Sequence, residues 1–227
     1  MMAVLPPGER IYAIGDIHGC LDKLRALHRT IRADLKAQPC RRFTVVHLGD
    51  YIDRGPDSAG VVAFLRGCDL PCVNLMGNHE ATALAALSGD GAACADWIAY
   101  GGDVALRSWG CDPEGPRAAW RLPAADLAWM QGLALTHRAG PYLFVHAGVR
   151  PGVPLDAQDR EDLLRIRRPF LDSDADHGAI IVHGHTPTRG REPERHANRI
   201  NLDSGAVFGG ALSCGVFEGG KVEFLAA

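Results

Sequence analysis

Short apolar runs in this chain keep stopping at the same kind of turn, a glycine followed by an acid or an amide. Ile11 to Ile14 stops at Gly15-Asp16, Phe43 to Leu48 at Gly49-Asp50, and Val73 to Met76 at Gly77-Asn78. Between the first two, Leu21, Leu24, Leu27, Ile31 and Leu35 recur at helical spacing. Between the second and third, Val61, Val62, Phe64 and Leu65 suit a short helix, with Asp57 or Ser58 near its start as the cap. The β-α-β-α-β series predicts an α/β core whose strands are buried on both faces.

Farther along, residues 81–131 read as an alanine-rich helical insertion, broken at Gly89-Asp90-Gly91, Gly101-Gly102 and Pro113 to Pro116. Strands resume at Tyr142 to Val145, Ile180 to Val182 and Ile200 to Leu202. Ala211 to Phe217 and Val222 to Leu225 flank Gly219-Gly220 and read as a hairpin. The expectation is a two-sheet sandwich flanked by helices. At roughly 100–200 residues per domain, the 227 residues read as one domain, 1–227, carrying the insertion.

Composition narrows the partners. With 24 basic and 27 acidic residues, the net charge of −3 argues against a strongly basic nucleic-acid binder. Few aromatics, 7 Phe with 4 Trp and 4 Tyr, argue against a stacking platform for single strands. No run approaches the ~18 apolar residues of a membrane span, and MMAVLPPGER lacks the basic and apolar regions of a signal peptide. The seven cysteines are scattered, and Cys68 and Cys72 have no second close pair to complete a zinc ribbon, so they read as thiols in a reducing compartment. A cytoplasmic monomer with no membrane or nucleic-acid partner is expected.

The turns carry the chemistry. Five strand ends lead into Gly15-Asp16-Ile17-His18-Gly19, Gly49-Asp50-Tyr51-Ile52-Asp53-Arg54-Gly55, Gly77-Asn78-His79-Glu80, His146-Ala147-Gly148 and His183-Gly184-His185-Thr186. Sites in open α/β sheets gather beyond the carboxyl ends of strands, so these turns are expected to converge. Carboxylates, imidazoles and an amide oxygen suit manganese, iron(II) or zinc better than calcium or copper(I). One carboxylate can bridge two cations, and two cations roughly 3.5–4 Å apart clamp an in-line displacement at phosphorus. Any one of these turns alone is weak evidence; five in one order are not.

The set GDIHG, GDYIDRG, GNHE, HAG and HGHT resembles the phosphoprotein phosphatase family of metallophosphoesterases, in particular its short bacterial and phage members, from Gly15 to about Thr186. The resemblance implies a four-layer αββα sandwich of the calcineurin-like type with two divalent ions, manganese being the expected pair and iron or zinc the other options. By motif it assigns Asp16 and His18 to one ion, Asp50 to both, and Asn78, His146 and His183 to the other, with His185 left outside. A hydroxide shared by the ions is expected to attack phosphorus without a phosphoenzyme, since no cysteine sits in a phosphate-loop context. Arg54, on the same turn as Asp50, suits the phosphoryl oxygens. His79 is placed to protonate the leaving oxygen, oriented by Asp53. A second arginine is expected within Arg165-Ile166-Arg167-Arg168; the family's Trp-x-Arg register selects Arg167, although this chain lacks the tryptophan. Glu80 reads as structural.

The function expected is a serine/threonine protein phosphatase acting on phosphoproteins or phosphopeptides, with phosphotyrosine a further substrate. Glu80 in GNHE and the intact GDYIDRG favour it. A dinucleoside polyphosphate hydrolase such as a diadenosine tetraphosphatase is the alternative, and a non-catalytic phosphate-binding module is disfavoured because ligand positions, His79 and Arg54 are all present. Arg189 to Arg199 reads as an exposed mixed-charge loop, with recruitment of acidic phosphopeptides the other option.

Overall fold

The computed structural model describes residues 4–227; the first three residues of the segment read above for a signal peptide lie outside it. Strand β1 (Glu9–Ile14), helix α1 (Leu21–Ala37), strand β2 (Arg42–His47), helix α2 (Ser58–Arg66) and strand β3 (Cys72–Asn74) follow in order, with β1, β2 and β3 parallel. Helix α1 buries Leu21, Leu24, Leu27 and Ile31 of the residues at helical spacing, and Leu35 is half-buried. Helix α2 starts where the Asp57 carboxylate accepts the Gly60 amide at 2.7 Å. Along β1 the pleat divides the side chains: Tyr12 and Ile14 pack under the helices, while Ile11 and Ala13 face the second sheet.

Residues 78–131 form α3 (Asn78–Leu87), α4 (Gly91–Trp97), a π-helical turn (Ile98–Gly102), α5 (Asp103–Ser108) and α6 (Ala124–Gln131). Trp97, Ala105, Leu106 and Met130 join Leu24 and Leu27 in one apolar cluster, so these helices extend the layer covering the first sheet.

The second sheet comprises β4 (Thr136–Ala139), β5 (Tyr142–Val145), β6 (Ile180–His183), β7 (Glu194–Arg195) and β8 (Arg199–Asn201), in spatial order β4-β5-β6-β8-β7. Phe144, Val182, Ile200 and Leu202 meet Ile11, Val46 and Leu48 between the sheets. Helix α7 (Arg160–Arg165), with Ile166 and Phe170 beyond it, covers Leu143, Val145 and Ile181 on the far side. The fourth layer is therefore thin. Strands β9 (Ser213–Glu218) and β10 (Lys221–Ala226) form the antiparallel hairpin, and β9 pairs with β1 to complete the first sheet as β10-β9-β1-β2-β3. Among the described residues no helix is long and apolar enough to cross a membrane.

Two strands, β4 and β7, lie outside the sequence reading, because Thr136–Ala139 is half polar and Glu194–Arg195 has only two residues. The Arg189 to Arg199 stretch is not one exposed loop: Arg199 is buried, and its guanidinium donates to the carbonyls of Leu171 and Ser173.

Candidate active site

The chain reaches the site in strained backbone. Among the described residues only six without a glycine's freedom have positive φ, and five are His18 (44°), Asp50 (50°), Asp53 (74°), Arg54 (65°) and His185 (66°). Such conformations cost of order 1–3 kcal/mol each and persist where the surroundings fix them. Here the fixing groups are visible. The amides of Ile17 and His18 both donate to the Asp50 carbonyl, at 3.0 and 2.8 Å. Buried Glu80 accepts the amides of Asp50, Tyr51, Ile52 and Gly77 at 2.7–3.2 Å, binding the second turn to the third. Burial and the Asp50 carboxylate push the Glu80 acid up to about 8, against those four donors, which favour its anion. Glycine is needed at Gly77, where a Cβ would lie 2.1 Å from Asp50 Oδ1, and at Gly184, where one would lie 2.1 Å from Asp16 Oδ1.

Asp50 is the centre of the cluster. Its Oδ2 lies 3.5 Å from His18 Nε2, and its Oδ1 lies 3.4 Å from His146 Nε2. The donor atoms of Asp50, His146 and His185 all lie within 4.8 Å of one another. His18 Nδ1 sits 2.8 Å from the Ile52 carbonyl and His146 Nδ1 2.9 Å from that of Leu48. Both Nδ1 atoms must carry the proton, which leaves a lone pair on each Nε2. His146 Nε2 then faces two acceptors, Asn78 Oδ1 at 3.0 Å and Asp50 Oδ1 at 3.4 Å. Lone pairs packed on lone pairs ask for a cation. Burial pushes the Asp16 acid well up, helped by the Asp203 and Asp50 carboxylates, and burial carries Asp203 to about 6. Three buried carboxylates beside one nearby guanidinium, Arg54, are short of positive charge. Asp16, His18, Asp50, Asn78, His146 and His185 therefore make a donor set that fits divalent metal ions.

His79 stands at the edge of the cluster, its Nε2 3.9 Å from Asp50 Oδ2. Its Nδ1 lies 2.6 Å from Asp53 Oδ2, and Asp53 Oδ1 accepts the Trp97 indole N–H at 2.9 Å. Burial would lower the His79 pKa, but Asp50 and Asp53 outweigh it and raise the imidazole above its ordinary value. A cavity of about 410 Å³ opens over Asp50, Asn78, His79 and His185, with Arg54, Arg165 and Arg167 on its wall. The Arg54 guanidinium lies 2.6 Å from His18 Nε2 and 5.6 Å above the Phe208 ring. Arg165 is held by Thr82 and Glu161, at 2.7 and 3.2 Å, whereas exposed Arg168 pairs with Asp172.

One residue expected as a ligand lies apart from the donor cluster. His183 is not with the others; His185 takes its place. His183 is the last residue of β6, and the pleat puts it on the side of Ile181, opposite Val182. Its ring meets Phe170 edge-on at 5.0 Å, and its Nδ1 lies 3.1 Å from the Gly184 carbonyl. His185 sits two residues later in the left-handed turn, its ring 5.1 Å from that of His146 and its amide on Asp16 at 3.0 Å. The sequence reading also missed Asp203 and Trp97. Asp203 follows the Ile200 to Leu202 run, the same strand-end carboxylate that marked the other turns. Nothing in the sequence marks Trp97 as the partner of Asp53.

Comparison with known proteins agrees with this geometry. Residues 9–211 match the calcineurin-like phosphoesterase family. The chain is 33% identical over 213 residues, 90% of each chain, to serine/threonine-protein phosphatase 1 of Salmonella typhimurium. It is 36% identical over 145 residues to a symmetrical bis(5'-nucleosyl)-tetraphosphatase of Methylococcus capsulatus, matching 62% of this chain but 44% of that one. A crystal structure provisionally assigned as a diadenosine tetraphosphatase superposes with a TM-score of 0.68 at 26% identity, covering 99% of this chain and 97% of the other. With its two flanked sheets and its His/Asp cluster at the strand ends, the chain belongs to the calcineurin-like phosphoesterase family of metal-dependent hydrolases.

Proposed function

We propose that this metallophosphoesterase is a serine/threonine protein phosphatase, a monomeric cytoplasmic enzyme that hydrolyses phosphoserine and phosphothreonine in proteins. The observation that carries the phosphoester chemistry is the Asp53–His79 pair set against the Asp50 cluster. Likeness to the Salmonella phosphatase along 90% of both chains supports the phosphoprotein substrate, and seven unbonded cysteines suit a reducing compartment.

When bound, two divalent ions, for which we take manganese, supply Lewis-acid charge and lower the pKa of water. Asp16 and His18 would hold one, Asn78, His146 and His185 would hold the other, and Asp50 would serve both. Arg54 and Arg167 bind the phosphoryl oxygens from the cavity wall, where their permanent charge offsets charge developing on phosphate. His79 gives its Nε2 proton to the leaving serine or threonine oxygen. Asp53 holds the proton on Nδ1 and so fixes the ring with Nε2 toward the cavity. Trp97 holds Asp53 in turn.

The test is turnover by metal-stripped protein, with and without manganese, on a phosphothreonine peptide and on diadenosine tetraphosphate. The expected result is manganese-dependent phosphate release with kcat/KM at least about tenfold higher for the peptide. A second reading, dinucleoside tetraphosphate hydrolysis, is favoured by the end-to-end superposition on the provisionally assigned tetraphosphatase. Preference for the dinucleotide would establish that reading with the same site.

A further inference from the structure

A second group of reactive side chains lies away from the catalytic cavity. Cys68 follows α2 and Cys72 opens β3; both are half-buried, and their sulfurs are 3.5 Å apart. Theirs is the one sulfur–sulfur hydrogen bond among the described residues. His28, on the buried face of α1, brings its Nδ1 to 3.9 Å from Cys68 Sγ. Its other nitrogen, Nε2, lies 3.1 Å from His47 Nε2 at the end of β2.

The unpartnered atoms decide the tautomers. His47 Nδ1 and Asn74 Oδ1 are both buried without a hydrogen-bond partner, and the two residues are neighbours across β2 and β3. Asn74, paired with His47 across the strands, favours a proton on His47 Nδ1, since its side chain raises the His47 pKa against burial. His47 Nε2 then holds a lone pair and takes the His28 Nε2 proton. His28 Nδ1 is left with a lone pair aimed at the Cys68 thiol. Burial keeps both rings neutral at pH 7, and it pushes the Cys72 thiol well up, which makes Cys72 the later reactant.

We propose that Cys68 and Cys72 form a reversible intramolecular disulfide, with Cys68, served by the His28 imidazole, as the sulfur that meets a peroxide. The Cys68 sulfur, its thiol proton directed at His28 Nδ1, attacks one oxygen of hydrogen peroxide and breaks the O–O bond. The proton leaves with the released hydroxide as water, and Cys68 becomes a sulfenic acid. Cys72 sulfur then attacks Cys68 sulfur, and the hydroxyl leaves with the Cys72 proton. Two thiols are oxidised and one peroxide is reduced to two waters. The sulfurs close about 1.5 Å to reach bonding distance, joining the end of α2 to the start of β3.

The test treats the manganese-loaded full chain with hydrogen peroxide, then alkylates free thiols and maps peptides by mass. Wild type should lose the Cys68 and Cys72 thiols together, yield a peptide pair joined through them, and regain both with dithiothreitol. Cys72→Ser should accumulate a sulfenic acid at Cys68 that dimedone traps. Cys68→Ser should leave Cys72 reduced at the same dose. His28→Gln should slow thiol loss several-fold while circular dichroism stays unchanged. Survival of both thiols at doses that oxidise Cys40, half-buried like them, or crosslinks that join either sulfur to another cysteine, would overturn the proposal.

Discussion

Two histidines separated by one glycine have opposite fates, and substitution tells them apart. His185→Ala removes a donor from the Asp50 and His146 cluster, so manganese affinity should fall at least about tenfold, read by calorimetric titration. His183→Ala removes a buried ring that packs on Phe170 and whose Nε2 has no partner. It should retain full manganese stoichiometry and lose about 1–3 kcal/mol of folding stability, read by urea titration. Equal loss of metal from both variants would restore His183 as a ligand. At His79, replacement by Asn keeps the size and removes the acid. Turnover on a phosphothreonine peptide should fall about 10²–10⁴-fold, with a much smaller drop on an aryl phosphate, whose leaving oxygen needs no proton. The motif HGHT made the fifth turn legible, but choosing between its histidines depends on where β6 stops, and an apolar run does not mark its own last residue.

At the scale of elements, the site depends on turns held by one carboxylate. Glu80 Oε1 and Oε2 each accept two amides from the turns after β2 and β3. In Glu80→Gln one of those oxygens becomes an NH2 group facing two N–H donors. The expected loss is about 2–4 kcal/mol of stability, visible in urea titration, together with weaker manganese binding as the Asp50 turn loosens. The His28–His47 contact between α1 and β2 gives the fold an acid limit. Burial lowers His28 to about 4 and His47 to about 3, from an ordinary 6.5. The unfolded chain therefore binds protons at these groups first as pH falls. Stability should be intact above about pH 6.5 and decline toward pH 4 and below. His28→Gln should flatten that decline relative to wild type; an identical slope in both proteins would remove His28 as a cause. The β-α-β-α-β series and the C-terminal hairpin were legible because apolar period and glycine punctuation agree there. Strands β4 and β7 were not, since their pairing to β5 and β8 is tertiary and leaves no periodic pattern.

For the whole molecule, folding gathers negative charge where two sheets end. Asp16 follows β1, Asp50 follows β2 and Asp203 follows β8, and all three are buried beside Arg54. None of the turns is unfavourable alone; the repulsion exists only once the layers close, which is why Asp203 drew no notice as an isolated Asp-Ser-Gly turn. The fold thus sets up a deficit that cations relieve, and the sign of a substitution should depend on whether they are there. In metal-free protein, Asp16→Asn removes one of three crowded carboxylates and should raise the melting temperature, by an amount equivalent to about 1–3 kcal/mol. In manganese the same change removes a donor. Wild type then gains RT ln(1 + [metal]/Kd), about 2.7 kcal/mol at a hundredfold excess over Kd, and the variant gains less. The two melting curves should therefore cross as manganese is titrated, the variant more stable at first and wild type afterwards. A variant less stable than wild type at every manganese concentration would mean that Asp16 serves the fold through its hydrogen bond to the His185 amide, and not chiefly as a charge held for a cation.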